Sequence, residues 1–357
     1  MHKKFAKTLA VALAAALLVL PLAACGTSGK EATGSGSASA HPGAKKTVYT
    51  SFFPIYDLTK TIAGDKMNVE MIITGNQEPH DFELQASEMG KISEADLIIY
   101  NGAGMESFID DLKETAKDDN KFLDLSEGLT LLKSENDDEE EEHEHEHSGS
   151  EDHDEESEEH EHSGSEDHDE ESEEHEHHHH HHGGINPHTW LSIKNAKMEL
   201  NAIYEKLSAI DPDNAEYYKK NLDEATAKFD ALDKKFQEKI SSVPADQRYL
   251  IVSHAAFNYL ANDYGLKQVA VTGISPEDEP SAQQLATIAD FVKQHKVSTI
   301  FFEGKATPKV AETLAKNTGV KTASIYTMES VTDEEKDLGY LGLMERNLDM
   351  IMKSFDK

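Results

Sequence analysis

One stretch of 27 residues contains neither proline nor glycine: NAEYYKKNLDEATAKFDALDKKFQEKI, residues 214–240. At a rise of 1.5 Å per residue, a helix of this length would be about 40 Å long. A helix of that length can run the height of two domains, so the pattern indicates a rigid connection rather than a free hinge. We expect this linking helix to occupy residues 214–243.

The segments on both sides of this stretch alternate between strand-like and helix-like patterns. In residues 47–136, strand-like patterns start at Thr47 and at Asn68, and the segment DLIIYNG is a third. Helices are expected from Pro54, over Glu83 to Ser93, and from Glu106. Residues 183–213 complete this first lobe. In residues 244–357 the strand-like segments are YLIVSH, KQVAVTG, STIFFEG and VKTASIY. Such alternation is typical of parallel sheets with helical crossovers. The fold class is therefore α/β, with two α/β lobes joined by a long rigid helix.

The N-terminal residues have the pattern of an export signal. Basic residues precede an apolar run from Leu9 to Leu22, and small residues precede Cys25, the only cysteine. The sequence LAAC followed by a Gly/Ser-rich stretch resembles a bacterial lipoprotein signal. It predicts a signal peptide at 1–24, lipidation of Cys25, a flexible tether at 25–46 and anchoring on the extracytoplasmic face of the cell membrane. A single cysteine excludes an intramolecular disulfide.

Residues 137–182 are of low complexity and rich in His, Asp and Glu. The segment HSGSEDHDEESEEHE at 147–161 recurs unchanged at 162–176. With almost no apolar side chain, this loop is expected to be disordered, and His-rich tracts of this kind bind divalent metals. A solvated charge run, or an affinity tag at 177–182, is the alternative interpretation. The loop accounts for much of the formal net charge of -35. No basic cluster suggests a nucleic-acid partner.

Three histidines outside the loop lie where a strand or loop leaves a predicted sheet. They are His80 in EPHDFE, His188 in NPHTWL and His254 at the end of YLIVSH. Ligands of open α/β sheets bind beyond the carboxyl ends of the strands, so the three imidazoles can converge in the cleft between the lobes. Each histidine taken alone could equally be a surface or packing residue. His295, near a helix C-terminus, is better explained by a favourable interaction with the helix dipole.

Several motifs together resemble the zinc-type solute-binding lipoproteins of bacterial ABC metal importers. The resemblance runs from Thr47 to the C-terminus, interrupted only by the His-rich loop. It is carried by SFFPIYDLTKTIAGD, EPHDFE, NPHTWL, SHAAFNYL, GISPEDEPSAQQL and IYTMES. It implies the two-lobed fold, with a metal site in the interlobe cleft formed by His80, His188, His254 and a carboxylate. TMES places that carboxylate at Glu329, while Glu303 in FFEG, or water, remains the alternative fourth ligand.

The implied ligand is Zn²⁺, because three imidazoles and one carboxylate suit its four-coordinate geometry. Manganese favours more oxygen, whereas affinity alone does not exclude copper or nickel. The implied function is an extracytoplasmic high-affinity zinc receptor, a monomer and not an enzyme, that delivers zinc to an ABC permease and its ATPase. The alternatives are a receptor for manganese or another divalent metal, a surface adhesin or metal buffer, and a secreted zinc hydrolase, although the chain lacks an HExxH helix.

Overall fold

The structure is a computed structural model that describes residues 45–75, 77–134, 184–278, 280–303 and 308–356. The predicted signal peptide, Cys25, nearly all of the predicted tether and the predicted disordered loop at 137–182 lie outside these residues. Within the described ranges, no helix combines the length and the apolar composition that crossing a membrane requires.

The first lobe contains a sheet of four parallel strands in the order β2-β1-β3-β4. The strands are β1 (Thr47–Thr50), β2 (Asn68–Met71), β3 (Leu97–Tyr100) and β4 (Phe122–Asp124), and the helices are α1 (Phe53–Ala63), α2 (Ala86–Ser93), α3 (Ile109–Ala116) and α4 (Ile193–Ile210). Every residue of β3 is buried, as expected for an inner strand with helices on both faces. The helices expected from Glu83 and from Glu106 begin three residues later, at Ala86 and Ile109.

The second lobe repeats this topology, with four parallel strands in the order β6-β5-β7-β8. The strands are β5 (Tyr249–Val252), β6 (Lys267–Ala270), β7 (Thr299–Glu303) and β8 (Lys321–Ile325), and the helices are α6 (Asn258–Tyr264), α7 (Ala282–His295), α8 (Pro308–Thr318), α9 (Asp333–Lys336) and α10 (Gly339–Phe355). Helix α7 starts with a capping box in which Ser281 and Gln284 exchange hydrogen bonds. Two parallel α/β lobes were predicted, and the prediction is confirmed.

The linking helix is present as α5 (Ala215–Ser241), 27 residues long. Its buried positions recur every three or four residues, which is the spacing of one helix face. They are Tyr218, Leu222, Ala225, Phe229, Leu232, Phe236 and Ile240. Along this face α5 packs against α1 and α4 of the first lobe and against α10 and α6 of the second. The helix therefore fixes both lobes on one continuous surface.

Buried aromatic residues join the lobes directly. The Trp190 ring meets Phe52 edge to face at 4.9 Å between centroids, and both residues are completely buried. The Trp190 indole N–H donates to the carbonyl of Thr327 in the second lobe at 2.7 Å, and the Tyr340 hydroxyl donates to the Trp190 carbonyl at 2.6 Å. These contacts fix the segment that follows His188 against the second lobe.

One carboxylate, Glu199, is completely buried on the inner face of α4. Burial disfavours its charged form and raises its pKa to about 8, and the Thr189 hydroxyl opposes this only in part. The Glu199 side chain therefore keeps its proton in the folded protein at neutral pH.

The substitution Glu199→Gln tests this buried carboxyl group. Between pH 4.5 and about 8 the unfolded chain loses the Glu199 proton and the folded chain keeps it, so a rise in pH progressively destabilises the wild-type fold. Glutamine removes this dependence. The free energy of unfolding of metal-free Glu199→Gln, relative to wild type, should therefore rise by a few kcal/mol between pH 5 and pH 9 in urea titrations. The exposed Glu205 on the same helix provides the control variant Glu205→Gln. A relative stability of Glu199→Gln that is constant with pH would contradict the assignment.

Candidate metal site

Four side chains from separate loops form the candidate site. His80 follows β2, His254 follows β5 and Glu329 follows β8, each beyond the carboxyl end of its strand. His188 immediately precedes a short 3₁₀ turn, Thr189–Leu191, which leads into α4. All four residues are buried, with exposed fractions of 3% for His80, 0% for His188 and His254, and 5% for Glu329. The two lobes thus bring these four side chains together between them.

His188 Nε2 lies close to a ligand atom of each of the other three residues. It is 3.2 Å from Nε2 of His80 and 3.2 Å from Nε2 of His254. It is also 2.9 Å from Oε1 of Glu329. The same Glu329 oxygen lies 3.0 Å from His80 Nε2, and Glu329 Oε2 lies 3.6 Å from His254 Nε2. One nitrogen or oxygen atom from each residue thus lies within 4.8 Å of all the others.

These separations match the size of a tetrahedral zinc site. With metal–ligand bonds of about 2.0–2.1 Å, the ligand atoms of a tetrahedron lie about 3.3 Å apart. The five distances given above lie close to that value, and the sixth pair, His80 and His254, lies within 4.8 Å. The four atoms therefore surround a space of the size that a zinc ion occupies. The donor set, three imidazole nitrogens and one carboxylate, is also one that Zn²⁺ prefers.

The second nitrogen of two of these rings faces an acceptor. His188 Nδ1 lies 2.8 Å from Asn186 Oδ1. His254 Nδ1 lies 3.1 Å from Glu303 Oε2, which also accepts a hydrogen bond from the Ser253 hydroxyl at 2.7 Å. In both rings Nε2 is the nitrogen that faces the cluster. Glu303, the alternative fourth ligand, therefore lies on the far side of the His254 ring, while Glu329 lies among the converging atoms.

Burial and charge set the protonation of the cluster. Burial lowers the pKa of His188 to about 3, although the nearby Glu329 opposes the shift. Burial acts in the same direction on His254, but Glu303 and Glu329 outweigh it and raise the His254 pKa well above its usual value. For Glu329, burial would raise the pKa, yet His254 and His188 hold it well below the ordinary range. At neutral pH, the metal-free cluster thus contains neutral His188 and protonated His254 beside ionised Glu329.

An acidic cavity of about 170 Å³ adjoins Glu329. Its wall includes Glu78 from the first lobe together with Glu277, Glu303 and Glu335 from the second, and no Lys, Arg or His lines it among the described residues. Burial and the nearby Glu329 raise the pKa of Glu78 to about 8. Glu78 therefore keeps its proton at neutral pH, and the other carboxylates that face the cavity concentrate cations in it. Glu78 was not among the site residues predicted from the sequence, and its position two residues before His80 is the only local signal.

The chain was compared with known proteins. Residues 48–354 match the family described as zinc-uptake complex component A, periplasmic (ZnuA). The chain is 38% identical over 338 residues to the high-affinity zinc uptake system protein ZnuA of Bacillus subtilis, covering 94% of each chain. It is 36% identical over 347 residues to the zinc-binding lipoprotein AdcA of Streptococcus pneumoniae. The latter alignment covers 97% of this chain and 60% of that relative, so the chain spans only part of its length.

A solved structure supports the same relationship. The Zn(II)-bound ZnuA-like domain of AdcA from Streptococcus pneumoniae aligns with a TM-score of 0.67 at 33% sequence identity, over 88% of this chain and 100% of that domain. The chain therefore belongs to the ZnuA family. The resemblance seen in the sequence motifs is confirmed.

The protonation of His188 is directly testable. Because burial lowers its pKa to about 3, the His188 ring should stay neutral from pH 5 to pH 8 in the metal-free protein. The ring C–H chemical shifts of His188, identified by their loss in His188→Gln, should remain constant over this range in ¹H–¹³C spectra. A His188 midpoint near 6.5 would show that the ring is hydrated and that the described burial is incorrect.

Proposed function

We propose that this chain is an extracytoplasmic receptor that captures Zn²⁺ and hands it to an ABC permease driven by its ATPase. One observation carries the proposal: His80, His188, His254 and Glu329 converge from four loops, with the spacing of a tetrahedral zinc site. Family membership supports it, since one relative is named for high-affinity zinc uptake and the aligned domain was solved with Zn(II) bound.

In this proposal each of the four residues supplies one ligand atom. His80, His188 and His254 each present Nε2, and Glu329 presents a carboxylate oxygen that also neutralises part of the metal charge. Protonated His254 gives up its Nε2 proton when zinc binds, because a metal ligand must be neutral imidazole. Its Nδ1–H then still faces Glu303, which balances further charge. The nitrogen-rich set favours zinc over manganese, which prefers oxygen ligands.

The cluster favours a receptor over a zinc hydrolase. A catalytic zinc site keeps a coordination position open for water. Here Glu329 lies within 3.6 Å of the Nε2 atom of each of the three histidines. It therefore takes the fourth position, and the geometry supports binding without catalysis.

Attachment to the cell membrane through a lipid on Cys25 is part of the same proposal. The residues that would form the signal and the anchor lie outside the described part of the chain. The name of the Streptococcus pneumoniae relative, a zinc-binding lipoprotein, supports it. A receptor anchored in this way would remain beside its permease, and we expect it to act as a monomer.

Removing single ligands tests the site. His80→Ala, His188→Ala and His254→Ala should each weaken tight zinc binding by about 100-fold or more, because even a residue that only supports a metal ligand contributes about 10–100-fold to affinity. Affinity is measured by calorimetry and by competition with a chelator of known affinity. Weak binding by the His-rich residues 137–182 should remain.

The matched control is His295→Ala. His295 contacts Tyr249 and Phe291 at ring-centroid distances of 4.5 and 4.2 Å, and it is not one of the clustered residues. Its loss should leave tight zinc binding unchanged. If all three ligand variants kept the tight phase, the assignment of the site would be wrong.

Growth tests the transport role separately from binding. A strain that lacks this protein should stop growing in medium depleted of zinc by a chelator and should recover when zinc is added. Plasmid-borne wild type should restore growth at low zinc, whereas His188→Ala should not. Normal growth of the deletion strain in depleted medium would instead indicate an adhesin or a passive metal buffer.

A further inference from the structure

We propose that Asn186 is a positioning residue for the metal site: it fixes which nitrogen of His188 faces the metal, and it ties His188 to the loop that carries His254. The inference rests on the proposed zinc-binding function. Asn186 is completely buried and two residues before His188. It is not itself a candidate ligand, because its side-chain oxygen faces the His188 backbone N–H and Nδ1 and its side-chain nitrogen faces the Ala255 carbonyl.

The carbonyl oxygen of the Asn186 side chain holds the His188 ring. It accepts a hydrogen bond from the backbone N–H of His188 at 3.0 Å, and His188 Nδ1 lies 2.8 Å from it. An oxygen acceptor at this distance requires a proton on Nδ1. The lone pair of His188 is then on Nε2, the atom that faces the other three clustered residues.

The orientation of the Asn186 amide is fixed by its other contact. Its nitrogen donates to the backbone carbonyl of Ala255 at 2.6 Å. A carbonyl can only accept, so the amide nitrogen must face Ala255 and the amide oxygen must face His188. If the amide were rotated by 180°, its oxygen would face the Ala255 carbonyl oxygen and its nitrogen would face the His188 backbone N–H. Both contacts would be unfavourable in a buried space.

The same contact joins the two lobes at the site. Ala255 directly follows His254 in the second lobe, whereas Asn186 precedes His188 in the segment that leads into α4. The Asn186 backbone is also fixed on both sides: its N–H donates to the Leu132 carbonyl at 2.9 Å, and its carbonyl accepts from the Tyr259 hydroxyl at 2.8 Å. One buried side chain thus sets the relative position of two of the proposed ligands.

The acceptors behind the two histidines differ in charge. Glu303 faces His254 Nδ1 as a carboxylate, whereas Asn186 faces His188 Nδ1 as a neutral amide. A neutral acceptor orients the His188 ring without adding a further negative charge to a buried cluster that already contains Glu329 and Glu303. Residues that support metal ligands in this way contribute to affinity although they do not touch the metal.

Three variants of the full chain separate the roles of Asn186. Asn186→Leu has similar volume and removes both contacts. Asn186→Asp keeps an acceptor for His188 Nδ1–H but removes the donor to Ala255. Asn258→Leu is the matched control: Asn258 is also a buried asparagine, its amide donates to the Lys133 carbonyl at 3.2 Å across the same interface, and none of its side-chain hydrogen bonds reaches a clustered histidine.

The measurements are zinc affinity by chelator competition, the visible absorption of the Co²⁺-substituted protein, and thermal unfolding. Asn186→Leu should lose about 10–100-fold in zinc affinity, with a changed Co²⁺ spectrum that reports altered coordination. Asn186→Asp should lose less than Asn186→Leu, and Asn258→Leu should keep wild-type affinity and spectrum. Wild-type affinity in a folded Asn186→Leu would overturn the proposal. So would equal losses in Asn186→Leu and Asn258→Leu, or in Asn186→Leu and Asn186→Asp.

A measurement on the wild-type protein tests the proposal even if the Asn186→Leu variant does not fold. Long-range ¹H–¹⁵N spectra of metal-free protein distinguish the two neutral forms of a histidine ring, and His188 should carry its proton on Nδ1. A proton on Nε2 would overturn the inference. Failure of the zinc-receptor proposal is distinguishable, because in that case His188→Ala would itself keep tight zinc binding.

Discussion

The close approach of three buried imidazoles and one buried carboxylate is the constraint on which this structure depends. Ionised Glu329 would be very unfavourable in such a place without a positive partner. In the metal-free protein, protonated His254 supplies that charge. A dication at the centre would replace the proton and interact with all four groups at once. The metal-free cluster is therefore preorganised for a cation. The proton on His254 takes the place of the dication and stabilises the cluster less strongly.

The rest of the molecule fixes the relative positions of the four loops that carry the candidate ligands. The lobes share one continuous core, α5 packs on helices of both lobes, and Trp190 connects the segment after His188 to Thr327 in the second lobe. Because Thr327 is two residues from Glu329, this contact also places the carboxylate relative to His188. A frame that orders the ligands before the metal arrives reduces the entropy lost on binding, which favours tight association. The acidic cavity beside Glu329 supplies attraction for cations without any covalent or catalytic chemistry.

Much of this arrangement follows from local patterns in the sequence. Alternating strand-like and helix-like segments predict two parallel sheets, and a run of residues without Pro or Gly predicts α5. The three histidines could be separated from the His-rich run because each is placed at the end of a strand or after a proline. The starts of α2 and α3 differ by three residues from the expected positions, because the apolar pattern continues into the preceding turns. Helices α4 and α10 were not predicted as separate elements.

Other features depend on contacts between distant residues, which a sequence pattern does not contain. Glu303 and Glu329 each end or follow a strand of the same lobe, so local sequence could not choose between them. The choice depends on which side of the His254 ring each carboxylate occupies. The orientation of the Asn186 amide likewise depends on the carbonyl of Ala255, which is 69 residues away. Such long-range pairing decides the chemistry of the site even where its residues are evident from the sequence.

A crystal structure of the zinc-loaded protein, with anomalous scattering recorded at the zinc absorption edge, tests the central claim most directly. The account predicts one strong anomalous peak bonded to Nε2 of His80, His188 and His254 and to a carboxylate oxygen of Glu329. A strong peak elsewhere, with these rings turned away from one another, would contradict it.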